Sequence, residues 1–64
     1  MQIDRIKLIV AMAEQKIGVC ALADKAGVTR VTVSAVKAGK PCAERTAVRL
    51  AAGLDVPLST LLQN

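Results

Sequence analysis

The stretch VCALADKAGVTRVTVSAVKA, residues 19–38, decides the fold. Small or apolar residues fall in it at Leu22, Ala23, Ala26, Val28, Val33 and Val36. That spacing is helical rather than alternating, and it predicts two short helices meeting at Gly27. Glycine takes the positive φ that a tight turn demands. Ala23 is small where the second helix of the pair must cross closely. Val28, Val33 and Val36 are expected to turn inward. Arg30, Val31, Thr32, Ser34, Ala35 and Lys37 are then left facing out. Two such helices form a helix-turn-helix, whose second helix is shaped to enter the major groove of double-stranded DNA.

Working outward from this centre, a first helix is expected over 4–16, with Ile6, Ile9, Val10 and Ala13 as its inward stripe and Leu8 and Met12 at its flank. Ile17 and Gly18 break it, and Gly18 serves as a weak N-cap for a second helix over 19–26. Thr29 is a good N-cap for a third helix over 30–37, which Gly39 stops. Lys40, Pro41 and Cys42 make a short basic loop before a fourth helix over 43–53. In that helix Ala47, Val48, Leu50 and Ala51 are apolar, and Arg45 and Arg49 lie four apart on an outer face. Pro57 opens a last turn whose Leu58, Leu61 and Leu62 fold back on the core. The expected architecture is all-α: a compact bundle of about five short helices in one domain spanning 1–64.

The 64 residues include no aromatic side chain, so the core must come from Ile, Leu, Val, Met and Ala. Small side chains favour close helix packing. Net charge is +4, and it is unevenly placed. Residues 30–49 hold Arg30, Lys37, Lys40, Arg45 and Arg49 against Glu44 alone. A localised basic field is the footprint of a polyanion binder, although charge alone does not separate it from a solvated basic surface. Cys20 and Cys42, with no histidine in the chain, are too few for a disulfide scaffold or a metal site, and they read as reduced thiols. Nothing adjacent in sequence marks Cys20 as reactive. The start MQIDRIKLIVAMA is interrupted by Asp4, Arg5 and Lys7, so it reads as an amphipathic helix rather than a signal peptide. No stretch approaches the ~20 apolar residues of a membrane span.

The segment LADKAGVTRVTVSAVKAGK, residues 22–40, resembles the phage Cro/CI-like repressors, the XRE-type helix-turn-helix family. Leu22-Ala23, Gly27-Val28-Thr29, Val33-Ser34 and Gly39-Lys40 stand where that family typically has LA, G-V-S/T, V/I-S and GK. The closing AAGLDVPLSTLL is similar to its final helix pair, and the resemblance runs from about Ile6 to Leu62. Two departures stand out. Gly18-Val19 replaces a Ser-Gln that often holds a phosphate, and Met12 and Lys37 stand where the family often pairs an Arg with a Glu. Because both partners are missing together, no charge is left buried alone. The resemblance implies a lambda-repressor-like bundle and a cytoplasmic, bacterial or phage-encoded repressor.

The chemistry of the outward residues divides into reading and positioning. Arg30 is expected to donate two hydrogen bonds to a guanine, Val31 and Ala35 to meet thymine methyls, and Ser34 to reach a base edge or a phosphate. Thr29, Thr32, Lys37, Lys40 and Arg45 are expected to hold phosphates. One such domain makes few base contacts, so a homodimer, at least on DNA, is expected on a near-palindromic operator. Val56, Pro57 and Leu61 are its expected contact surface. The alternative is a helix-turn-helix protein-interaction module, an antirepressor or antitoxin-like partner. Such a module would expose larger apolar anchors on the same face. No catalytic constellation is present, so no enzyme, cofactor, metal, small-molecule ligand or membrane partner is expected.

Overall fold

Asp4 starts the first helix. Its carboxylate accepts hydrogen bonds from the backbone N–H groups of Ile6 (2.9 Å) and Lys7 (3.3 Å). These are donors that a helix start otherwise leaves without an internal partner. The computed structural model describes residues 2–62. In it α1 spans Arg5–Glu14, α2 Val19–Ala26, α3 Arg30–Lys37 and α4 Glu44–Gly53, followed by a single 3-10 turn at Leu58–Thr60. The second and third helices have the bounds expected from sequence. The fourth starts one residue later, with Ala43 as its N-cap. The first is shorter than expected, and the expected fifth helix is reduced to the one turn that Pro57 opens. Among the described residues there is no strand, only an antiparallel bridge between Ile3 and Leu62. No helix there is long and apolar enough to cross a membrane.

All four helices end alike. Lys16, Gly27, Gly39 and Asp55 each take the left-handed conformation just past the last turn, at φ of 56°, 72°, 98° and 56°. The next residue's N–H then reaches back five residues: Ile17 to Met12, Val28 to Ala23, Lys40 to Ala35 and Val56 to Ala51, at 3.0–3.1 Å. Such a cap satisfies carbonyls that the helix end leaves open, and an apolar contact usually accompanies it. Ile17, Val28 and Val56 supply that contact by packing on the core. Lys40 is the exception, and it is exposed.

α2 lies at the centre, against both α3 and α4, while α1 packs on α3 and the 3-10 turn on α4. Gly53 permits the close approach of α4 to α2: a methyl group there would come within 3.1 Å of the Ala26 Cβ. The whole is a compact all-helical fold of 26 × 21 × 18 Å. Its core takes Leu22, Ala23 and Ala26 from α2, Val33 and Val36 from α3, and Ala47, Leu50 and Ala51 from α4. Ile3, Leu54 and Leu61 close it from the connecting segments, and none of its side chains is polar.

The inward face of α1 differs from the one periodicity suggests. Leu8, Ala11 and Met12 are buried, whereas Ile6 and Val10 are 56% and 50% exposed, Ala13 is exposed and Ile9 is half-buried. Both stripes have helical spacing, because this helix is apolar on nearly every side. Its rotation is set from outside. The Asp4 N–H donates to the Leu61 carbonyl (2.7 Å), the Lys7 ammonium donates to the Leu62 carbonyl (3.0 Å), and the Gln15 side-chain amide donates to the Leu54 carbonyl. These partners lie at the far end of the chain, beyond the reach of a local pattern. Of the expected contact surface at Val56, Pro57 and Leu61, Leu61 is fully buried and so is not available for a contact, Val56 is half-buried against the core, and Pro57 is exposed.

Candidate functional site

Thr29 organises the start of α3. Its hydroxyl accepts the Thr32 N–H at 3.1 Å, which fixes the first turn. The two threonine hydroxyls also lie 2.9 Å apart. One of them donates to the other, so one hydroxyl proton of the pair is left for an outside acceptor. At the other end of the helix, the Gln2 side-chain amide donates to the Gly39 carbonyl at 3.0 Å.

Between these two anchors α3 buries only Val33 and Val36. Arg30, Val31, Ser34 and Lys37 are exposed, and Thr32 and Ala35 are half-buried. Val31 is 78% exposed, the most open of the large apolar side chains. Arg30, Ser34 and Lys37 repeat at steps of four and three, and Val31 and Ala35 form a second row beside them. From Arg30 to Lys37 the face is about 10 Å long. It therefore offers one cationic fork, two hydroxyls, two small apolar contacts and a lysine on a helix fixed from behind.

The Arg30 guanidinium donates to the Cys20 sulfur at 3.6 Å, at the start of α2. That hydrogen bond, then the charge interaction with Cys20, holds the Arg30 proton more firmly than usual, with a smaller push from Asp24. Arg30 is thus cationic at any working pH, and a single weak contact to sulfur holds it against α2. The cation beside Cys20 was not legible in the sequence, because the two residues are ten apart and on different helices. Burial raises the Cys42 thiol above its usual range, so it stays protonated near neutrality.

Lys40 leaves the end of α3 in the exposed turn, and Arg45 stands on the exposed first turn of α4. Arg49, one turn beyond Arg45, donates to the Gly27 carbonyl at 3.5 Å, which brings a further positive charge to the turn between α2 and α3. Arg49 is a residue of this region that the sequence pattern does not single out as a phosphate contact. Its signal was the four-residue spacing from Arg45, which sets both on one side of α4. Met12 is buried and Lys37 exposed, so neither position leaves a charge inside. Among the described residues no three His, Cys, Asp or Glu side chains gather as metal ligands. No protein-family model, no curated protein and no solved structure matches this chain.

Proposed function

We propose that the protein is a sequence-specific double-stranded-DNA-binding transcriptional regulator, a repressor of the Cro/CI-like kind. In this reading α2 and α3 form a helix-turn-helix, and α3 enters the major groove. The observation that carries it is the outer face of α3: Arg30, Val31, Ser34 and Lys37 are turned to solvent on a helix that the core grips through two valines. Val31, 78% exposed, stands beside Arg30 on that face. Groove reading has a use for both, since a guanidinium forks onto guanine and a valine methyl meets thymine. Ala35 and Ser34 extend the reading surface by one turn. Lys37, Lys40, Arg45 and the leftover Thr29–Thr32 hydroxyl proton supply phosphate contacts. Arg49 adds charge beside the turn. The single large apolar side chain on this face is too little to anchor a protein partner, which favours DNA over the interaction module.

Selection from random duplex DNA at several salt concentrations tests this reading. The expected result is an enriched site with two half-sites about one helical turn (~34 Å) apart. Arg30→Ala is expected to cost roughly 1–3 kcal/mol of affinity and to relax one base pair. Lys40→Ala is expected to lower the salt slope by about one unit at every sequence. An unenriched pool, with the amides of residues 29–37 unmoved by any duplex, would overturn the proposal.

A further inference from the structure

The fold leaves one apolar helix face uncovered. Ile6, Val10 and Ala13 run along the side of α1 opposite Leu8, Ala11 and Met12, and all three are exposed. Lys7 and Glu14 share one border of this face. Residues seven apart on a helix lie within about 20° of each other, so the two opposite charges stand on the same edge, one toward each end. The Lys7 ammonium is held on that edge by its hydrogen bond to the Leu62 carbonyl at 3.0 Å. An ammonium has three protons to donate, so the group can still meet a carboxylate. Glu14 is exposed, and no ion pair engages it among the described residues.

We propose that this face binds the same face of a second copy, the two α1 helices antiparallel about a two-fold axis near Val10. A two-fold contact presents one patch to itself, so the patch must be self-complementary when reversed. This patch is. In an antiparallel pair each edge meets its own copy in reverse order. Ile6 comes to the Ala13 end of the other helix, Val10 lies near the axis, and Lys7 meets Glu14 of the partner subunit on both sides of it. A parallel pair about a two-fold axis would set the Lys7–Glu14 edge against the Ile9 edge of the other copy and leave these charges unpaired, so charge selects the antiparallel one. The size of the patch sets the strength. Two half-exposed aliphatic side chains fall far short of the ~800 Å² per partner of a stable dimer. The contact is therefore weak in free solution and is completed when two copies occupy one duplex. That last coupling rests on the DNA-binding reading; the contact itself does not. None of the α1 residues involved is a candidate DNA contact.

Sedimentation equilibrium of the full chain at low salt, from ~10 µM to ~1 mM, should give a reversible monomer–dimer equilibrium with Kd on the order of 1 mM or a few times tighter. Val10→Asp should leave the far-ultraviolet helix signal intact and abolish the dimer. Glu14→Lys should weaken it about tenfold, and adding Lys7→Glu should restore it to within about twofold. Should Lys7→Glu unfold the chain, cross-linking decides. With Cys20→Ser and Cys42→Ser in the background, Val10→Cys should form an intermolecular disulfide at least about tenfold faster than Ala52→Cys on exposed α4, since a disulfide needs Cα atoms within ~7 Å. A chain monomeric throughout that range, a dimer indifferent to Val10→Asp, or equal cross-linking at the two sites would overturn the proposal. These measurements use no DNA, so their failure leaves the DNA-binding reading standing, and a failure to bind DNA leaves them unaffected.

Discussion

α1 and α3 rest on the same core, and each turns one side to solvent. The side that α3 exposes carries Arg30, Ser34 and Lys37 among small apolar groups; the side that α1 exposes carries Ile6, Val10 and Ala13. α3 has a polar side, so its own sequence says which way it faces. α1 is apolar nearly all round, and its facing is decided by Ile3, Leu61 and Leu62 at the chain's two ends. A periodic pattern establishes that a helix exists. It establishes which side is inward only when the two sides differ in polarity.

The largest test of this contrast is within α1. Leu8→Ala removes a fully buried side chain and is expected to cost about 2–5 kcal/mol, enough to unfold much of so small a domain. Ile6→Ala, two residues earlier, is expected to stay within about 0.5 kcal/mol. Urea denaturation of both variants measures the difference. Similar losses would mean that the helix is rotated from the position described, and the uncovered face would vanish with it.

The two helices also differ in how they stop. Gly39 ends α3 at φ 98° and Lys16 ends α1 at φ 56°, with the same pair of backbone hydrogen bonds after each. Gly39→Ala is expected to lose about 1–2 kcal/mol through the backbone alone, because the added methyl would meet only the Arg5 Cδ at an ordinary 3.5 Å. Lys16→Gly is expected to gain about 0.5 kcal/mol, the relief of the left-handed lysine less the extra freedom that glycine has when unfolded. Thermal melts of the two variants should move in opposite directions. A shift of the same sign in both would show that the two ends are not equivalent.

That difference also explains what could be read from the sequence. The turn after α2 and the stop after α3 were legible because glycine stands at Gly27 and Gly39, and the α3 cap because threonine stands at Thr29. The end of α1 was not, since nothing marks a lysine as a helix stop. The apolar residue after it, Ile17, completes the cap only by packing on a core that the sequence does not display. The outward residues of α3 were legible for the reason its facing was. The partners of those residues were not. Arg30 against Cys20 and Arg49 against the Gly27 carbonyl are contacts between helices, and they depend on how the helices cross.

The last contrast concerns how each helix begins. Asp4 caps α1 with a carboxylate that accepts two N–H groups; Thr29 caps α3 with a hydroxyl that accepts one and shares a proton with Thr32. Thr29→Ala is expected to cost about 1 kcal/mol of stability, and Thr32→Val less than about 0.5, since it leaves the cap bond in place. On the DNA-binding proposal, that order should not carry over to DNA. One hydroxyl proton is left over whichever threonine donates to the other, and after either single substitution the surviving hydroxyl has its proton free. Each folded single variant should therefore bind the selected duplex within about threefold of the parent, and only Thr29→Ala with Thr32→Val should lose about tenfold, the worth of one hydrogen bond to a charged group. If Thr32→Val alone produced the full loss in a binding titration, Thr32 would be the sole donor to phosphate and Thr29 a cap and nothing more.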